Sequence, residues 1–209
     1  MPAAHDATEL RWFADGPLPR QVRGWFSSAA AATEARCDRY LLDQGADVGI
    51  KVRGGQTLEL KVRNDVGPRI DLGAGLGGRP EEWRKWSPAD DVVDVPRLAR
   101  WSSVSKVVTK RRFSVAGTEI PMAGEPSGSG CDVEVTRVVV GSVEAWSFAF
   151  AAFGSAATRS TVLWASWRAL TQSGSLPTAL VRGLGRSMGY PEWLAGRHAS
   201  AHEHQESHR

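Results

Sequence analysis

The chain has 209 residues, of which 42% are hydrophobic and 23% are charged, so one sizeable core is possible and most of the chain need not be disordered. Its 26 basic and 23 acidic residues leave a formal net charge of only +3. This argues against a protein that binds nucleic acid through a generally cationic surface. No apolar run approaches the roughly 20 residues that cross a bilayer, and the N-terminus lacks signal-peptide order. Two cysteines, Cys37 and Cys131, are too few for a disulfide framework and favour a reduced, cytoplasmic setting.

The first half of the chain predicts antiparallel strands joined by short turns. Between residues 47 and 63, apolar and charged residues alternate on either side of Gly54 and Gly55, which is the pattern of a β-hairpin. The segment "PLPRQVRGWF" begins with prolines, which suit the first turn of a short helix. The glycine-rich segment "LGAGLGGRP", residues 72–80, predicts a loop. The other predicted strands of this half cover residues 8–14, 36–42 and 81–87.

The second half begins with three longer predicted strands. Residues 89–101 are ambiguous, because Pro96 interrupts any helix there. The segment "AGEPSGSG", residues 123–130, is typical of a loop. The predicted strands cover residues 103–115, 131–140 and 143–153.

Helices are predicted to follow the last strand. Leu163, Trp167 and Leu170 fall on one face of a helix over residues 156–174. A second, shorter helix is expected to end near Tyr190. Seven or eight strands with short connections, followed by helices, indicate an α+β fold that is mainly antiparallel, either a barrel or a sandwich.

Charged residues recur in phase on successive predicted strands, and cations dominate them. On the strand over residues 103–115, Lys106, Lys110 and Arg112 share one face. Arg84 lies on the face of its strand that also carries Glu82. The cations of the three richest strands are Lys51, Arg53, Lys61, Arg63, Lys106, Lys110 and Arg112.

Two arrangements fit this pattern. If the polar faces point outward, they solvate the surface of a barrel, as one face of an antiparallel sheet often does. If they point inward, they line a cationic tunnel suited to a polyanion such as a chain of phosphates, with Arg supplying forked donors and Lys a compact charge. The clustering of the cations on three strands favours the inward arrangement, because exposed like charges would repel one another.

Several motifs occur in a fixed order along residues 8–154. They are an opening strand with Glu9, a D-x-Y-L segment at 38–41, Lys51 and Arg53, an L-x-L-K-x-R segment at 58–63, a K-x-x-x-K-R-R segment at 106–112, and a closing hairpin at 131–154 that ends F-x-x-F-G. In this order they resemble the CYTH family, also called triphosphate tunnel metalloenzymes. That family includes inorganic and thiamine triphosphatases and class IV adenylate cyclases.

The resemblance implies an eight-stranded antiparallel barrel around a charged tunnel. We therefore expect the barrel over residues 8–154, a helical appendage packed on it over 155–196, and a disordered tail over 197–209. Cations on the inner face would contact the oxygens of a triphosphate. The expected phosphate-binding residues are Lys51, Arg53, Lys61, Arg63, Arg84, Lys106, Lys110 and Arg112.

The chain departs from the family at the residues that hold Mg²⁺ or Mn²⁺. Arg11 stands where the opening strand usually has a second carboxylate, and Ala149 and Ala151 stand where the closing strand usually carries Glu-x-Glu. A hard divalent cation needs several oxygen ligands, so we expect binding of Mg²⁺ or Mn²⁺ to be weak or lost. The remaining candidate metal ligands are Glu9, Glu59, Asp132 and Glu134.

Three functions fit these observations. The first is binding of a triphosphate-containing or other phosphorylated anion with weak or absent hydrolysis, and the second is metal-dependent triphosphate hydrolysis. The third is a structural scaffold whose cations pair with internal carboxylates. The missing carboxylates favour binding, and no catalytic residue is assigned. We expect a phosphorylated small molecule as partner, and neither nucleic acid nor membrane; the sequence leaves a homodimer open.

Overall fold

The computed structural model describes residues 3–87, 100–122, 128–172 and 174–206. The ambiguous segment 89–101 and the expected loop 123–130 lie largely outside the described residues. The strands are β1 Ala3–Asp15, β2 Ala32–Leu41, β3 Val48–Arg53, β4 Thr57–Val66, β5 Ile70–Gly73, β6 Leu76–Gly78, β7 Glu81–Ser87, β8 Trp101–Ser114, β9 Glu119–Ile120, β10 Gly130–Val140 and β11 Val143–Phe153. The helices are α1 Arg20–Phe26, α2 Ala156–Gln172, α3 Thr178–Gly183 and α4 Tyr190–Glu206.

Eight of these strands close into an antiparallel barrel. Around the ring they follow the order β1, β7, β4, β3, β2, β8, β10 and β11, and β11 pairs again with β1. The ring closes through pairs such as Glu9 with Ala151, which join the first strand of the series to the last. The predicted α+β fold with an eight-stranded antiparallel barrel is confirmed.

Two short pieces of sheet lie outside the barrel. β9 pairs with the end of β8. β5 and β6 form a two-stranded hairpin within the glycine-rich segment, so the prediction of a loop there is wrong. The φ angles of Gly73, Ala74 and Gly75 are 85°, 54° and 81°, and two glycines adopt such values without steric cost.

The main hydrophobic core lies outside the barrel wall. Leu10 and Trp12 of β1, Val133 of β10, and Phe148 and Phe150 of β11 are all buried there. Helices α1, α2 and α3 cover this face of the barrel. The buried helical residues are Val22, Phe26, Val162, Leu163, Trp167, Leu170 and Leu180. The predicted apolar face of the long helix is therefore confirmed as part of the core.

A second, smaller apolar cluster fills one end of the barrel. We call it the plug. The ring of Phe13 stacks on that of Trp193, with centroids 4.5 Å apart and planes inclined by 7°. The plug consists of Phe13, Tyr40, Val104, Val138 and Ala145 from five barrel strands, and of Trp193 and Leu194 from α4.

The C-terminal helices differ from the expected pattern. The second helix was expected to end near Tyr190, but α3 ends at Gly183 and Tyr190 begins α4. Pro191 lies in the first turn of α4, where its missing N–H costs no intrahelical hydrogen bond. The helix then extends to Glu206, into the segment expected to be a tail. Among the described residues, none of the helices has the length and apolar character needed to cross a membrane.

Replacing Trp167 by alanine should lower the free energy of unfolding by about 3–5 kcal/mol. The side chain is 4% exposed, its ring meets that of Phe150 edge-on at 6.1 Å, and its Nε1 donates to the carbonyl of Leu72 at 2.6 Å. The control is Arg168→Ala, at the exposed neighbouring position, which should change the unfolding free energy by less than about 0.5 kcal/mol. Urea denaturation followed by circular dichroism measures both, and equal midpoints would contradict the position of the core.

Candidate functional site

The interior of the barrel is charged rather than apolar. Successive side chains of a strand point to opposite faces, so an apolar outer face leaves the alternating charged residues inside. Across β3 and β4, Lys51 lies opposite Glu59, and across β8 and β10, Lys110 lies opposite Glu134. Cations and carboxylates therefore face one another on neighbouring strands, where cross-strand pairs interact.

These side chains surround a cavity of about 450 Å³, which we call the lumen. Its lining includes eight Lys or Arg and four Asp or Glu, so cations outnumber carboxylates two to one. Such an excess inside low-dielectric walls attracts anions. The lining cations are Arg11, Arg36, Lys51, Arg53, Lys61, Lys85, Lys106 and Lys110. The carboxylates are Glu9, Glu59, Glu134 and Asp6, of which Asp6 is bound by Arg84.

Most of the predicted phosphate-binding residues reach the lumen. Two others, Arg63 and Arg112, occupy inner-facing positions but are held by carboxylates outside its lining. Arg63 donates to Asp47 and to Glu81, each at 2.5 Å. Nε and Nη2 of Arg112 donate to the two oxygens of Asp132 at 2.7 and 3.0 Å. The predicted residues that line the lumen are Lys51, Arg53, Lys61, Lys106 and Lys110.

Arg84 lies on the outer face of the barrel. Trp83 and Lys85, its neighbours along β7, both line the lumen. The guanidinium of Arg84 instead donates to both oxygens of Asp6 at 2.7 and 2.9 Å, and its side chain is 47% exposed. The cation of this strand that reaches the lumen is therefore Lys85.

Each predicted metal ligand is engaged by a cation. Glu9 lies 2.5 Å from the ammonium of Lys61, and Glu59 lies 2.8 Å from that of Lys51. Glu134 is paired with a lysine and an arginine, and Asp132 with an arginine. In the described ranges no three His, Cys, Asp or Glu side chains converge as a metal ion would require. The residues present therefore do not fit a site for Mg²⁺ or Mn²⁺.

The ion pairs keep the buried carboxylates ionised. Burial opposes the charged form of Glu134, but Lys110 and Arg11 hold its pKa well below the usual value. Burial likewise opposes ionisation of Asp38, and Lys106 is the strongest of the cations that nevertheless lower its pKa. These groups are thus negative at neutral pH and able to order the cations around them.

Arg11 fills space that a small residue leaves open. Arg11 lies opposite Ala149 on β11, and Ala149 lies opposite Glu134 on β10. Because alanine ends at Cβ, the guanidinium reaches across the strand and donates to Glu134 at 3.0 Å and to Ser147 at 3.1 Å. Burial opposes its charge, but Glu134 raises the pKa of Arg11 above its ordinary value. A fixed guanidinium therefore lies beside Ala149, a position at which the closing strand carries no carboxylate.

Lys106 lies at the inner end of the lumen, next to the plug. Its Nζ is 2.8 Å from Asp38 and 2.6 Å from the hydroxyl of Tyr40. It also lies over two rings, 4.6 Å from the centroid of Tyr40 and 4.0 Å from that of Tyr190. Burial, reinforced by repulsion from Lys51, lowers the pKa of Lys106 well below its ordinary value against the opposing effect of Asp38. Its part in the site therefore rests on the N–H groups that it donates to Asp38 and Tyr40.

Several lining residues were not predicted. Tyr40 belongs to the D-x-Y-L segment, which carried the family resemblance without a role for the tyrosine. Its spacing of two residues from Asp38 puts both side chains on one face of the strand. Lys85 alternates with Trp83 in the same way and could have been found. Tyr190 could not, because it reaches the lumen from the start of α4 and no sequence periodicity connects it to the strands.

No protein-family model, curated protein or solved structure matches the chain. The barrel is therefore defined by its strand pairing, and the family resemblance by the order of its sequence motifs.

The free energy of unfolding should fall as the pH drops from about 5 to about 3. Despite burial, pairing with cations holds the pKa values of Glu9, Asp38 and Glu134 below their unfolded values. Their contribution is fully present above the unfolded pKa and is lost as the pH falls through the folded pKa. Denaturant unfolding at several pH values measures this decline.

A charge-neutral variant provides the control for that experiment. Glu134→Gln should be less stable than the wild type near neutral pH by about 3 kcal/mol, because Lys110 and Arg11 lose their charged partner. The variant should also show a smaller decline towards acid pH. An unfolding free energy that stays constant between about pH 5 and about pH 3 would contradict the role given to the carboxylates.

Proposed function

We propose that the lumen binds a phosphorylated anion, such as a triphosphate or a small molecule that carries one, with weak or absent hydrolysis. The observation that carries the proposal is the two-to-one excess of cations over carboxylates around a single cavity. Phosphate groups present several anionic oxygens, which Arg and Lys bind through charge-assisted hydrogen bonds. Because the cations lie on strands and are held by ion pairs, little side-chain entropy is lost when a ligand binds.

The internal ion pairs leave donors for a ligand. An ammonium group has three N–H donors, and the salt bridges of Lys51 and Lys85 to Glu59, at 2.8 and 3.0 Å, do not use them all. The carboxylates hold the ammonium groups in place, and the donors that remain can meet phosphate oxygens. Each lining cation has a carboxylate within 4.0 Å, but Glu59, Glu134 and Asp38 each serve more than one cation. This sharing leaves N–H donors over, which favours binding over a purely structural function.

The alternative is metal-dependent triphosphatase activity of the CYTH type. The order of the sequence motifs supports it, and so does a charged lumen in an eight-stranded barrel. Two observations weigh against it. The candidate metal ligands are each engaged by cations, and the guanidinium of Arg11 lies beside Glu134. Binding without efficient turnover is therefore the function that we favour.

The proposal includes a reducing, cytoplasmic setting. Cys37 is exposed and Cys131 is buried, and both are free thiols. Burial raises the pKa of Cys131 to about 12, which makes that thiol unreactive. An exposed free thiol such as that of Cys37 persists best where the surroundings are reducing. An internal site of this size suits a small molecule better than a nucleic acid or a membrane.

Replacing Lys85 by alanine should weaken the binding of tripolyphosphate by about tenfold, because one ammonium of the lumen is lost. Arg84→Ala is the matched control, since it removes the same charge one residue away on the outer face and should leave the affinity unchanged. Titration calorimetry at low and high salt, in EDTA, measures both, and the affinity should fall with salt. Equal losses in the two variants would mean that net charge, rather than the lumen, binds the anion.

Release of phosphate from tripolyphosphate in Mg²⁺ or Mn²⁺ should be slow or absent, while binding persists in EDTA. The reason is that a divalent ion gains most of its affinity from anionic oxygens, which are engaged here by cations. A phosphate-release assay with each metal tests this. Rapid turnover that is abolished by Glu9→Gln or Glu134→Gln would establish the triphosphatase alternative instead.

A further inference from the structure

We infer that the inner end of the lumen is a seat for the free terminal oxyanion of the ligand, built from hydrogen-bond donors. The inference rests on the proposed function and deepens it, because it specifies which part of a ligand lies where. We define the seat by the residues that line the lumen next to the plug. They are Arg11, Tyr40, Lys106, Thr136 and Tyr190.

Thr136 supplies the first observation. Its side chain is 1% exposed, and on β10 it lies between Val108 of β8 and Ser147 of β11. Among the residues that the structure describes, its Oγ1 has no hydrogen-bond partner. A buried polar atom without a partner destabilises a fold, so such an atom on the wall of a cavity indicates a group that binds there.

The other seat residues also present donors. Lys106 donates to the hydroxyl oxygen of Tyr40, so the hydroxyl hydrogen of Tyr40 points elsewhere. Burial raises the pKa of Tyr40 well above its ordinary value and raises that of Tyr190 as well, so both phenols stay protonated. The guanidinium of Arg11 has donors and no acceptor. The nearby carboxylates already accept from Arg11 and Lys106.

A site made of donors requires a ligand group made of acceptors. An unsubstituted phosphoryl group offers three terminal oxygens, each with lone pairs and a share of the negative charge. A phosphate that continues into a further ester or anhydride has one such oxygen fewer. The seat therefore favours a terminal phosphoryl group, or a sulfuryl group of the same shape, over an internal phosphate.

The seat lies at the closed end of the lumen, because the plug fills the barrel beyond it. Phe13, Val138 and Trp193 belong to this apolar cluster. A phosphate chain cannot continue into an apolar cluster without losing the solvation of its charge. Only a chain end can reach Lys106 and Thr136, so we expect selection for linear ligands with a free terminal group.

Two phosphate compounds of equal phosphate number test the seat. Linear tripolyphosphate has two terminal groups, whereas cyclic trimetaphosphate has none. Titration calorimetry in EDTA should show wild-type protein binding the linear compound at least about tenfold more tightly. Thr136→Val should weaken tripolyphosphate binding by about tenfold and leave trimetaphosphate binding unchanged. The melting temperature of this variant should be unchanged or higher, because a methyl group replaces an unpaired hydroxyl.

Two further variants complete the experiment. Thr109→Val makes the same substitution on β8 at a position outside the lumen lining, and it should not change either affinity. Tyr190→Phe removes a seat hydroxyl while keeping the ring, and it should weaken tripolyphosphate binding selectively. It decides the question if Thr136→Val does not fold.

The outcomes separate the seat from the proposed function. If the wild type binds both phosphates equally, and Thr136→Val and Tyr190→Phe change neither affinity, the seat is overturned while anion binding in the lumen stands. If the wild type binds neither phosphate, the proposed function itself fails. Selective loss of the linear compound in either variant supports the seat.

Discussion

A barrel that turns its charged faces inward must neutralise most of those charges locally, because little water is available inside to do so. Asp38, which is 0% exposed, meets Lys106 at 2.8 Å and Arg36 at 3.2 Å. Similar pairs link β3 to β4, β4 to β1, and β8 to β10. Apart from Arg36 and Asp38, which both lie on β2, each pair connects two strands at the level of the side chains. The cross-section of the lumen therefore depends on ion pairs as well as on the backbone ladder. Cations that share one carboxylate, as Lys51 and Lys85 share Glu59, keep N–H donors that are available to a ligand.

The same constraint moves the hydrophobic core to the outside of the wall. Strands β1, β10 and β11 carry large apolar residues on their outer faces, and three helices cover them. The outer face of β2, by contrast, presents Thr33, Ala35 and Cys37 to solvent. Helices therefore cover the barrel at β1, β10 and β11, whereas the outer face of β2 is exposed to solvent. Burial of apolar side chains under the helices supplies the hydrophobic stabilisation that the polar interior does not, at roughly 25 cal/mol per Å² of apolar surface removed from water.

Alternation with a period of two made most of the barrel strands predictable, because each has one apolar and one charged face. The same alternation could not decide which face points inward, and it left Arg84 grouped with the cations although Lys85 is the residue that reaches the lumen. The hairpin of β5 and β6 was not predicted, because its many glycines give no alternation of apolar and polar side chains. Tyr190 and the plug depend on a helix that packs from far along the chain, which local patterns do not encode. Within the candidate site, most of the cations could be predicted from their spacing. The hydroxyl of Thr136 could not, because only the structure shows that it is buried with no hydrogen-bond partner among the described residues.

The pairing of β1 with β11 also determines when the barrel can close during folding. β1 is made early, but one of its two neighbours, the strand that places Ala151 beside Glu9, is made about two thirds of the chain later. Until then β1 can pair only with β7, and its other edge keeps unpaired N–H and C=O groups while Leu10 and Trp12 lack their core. Contacts between such distant residues form slowly. The lumen forms only when β11 pairs with β1. A partly synthesised chain therefore has no interior in which to hold an anion.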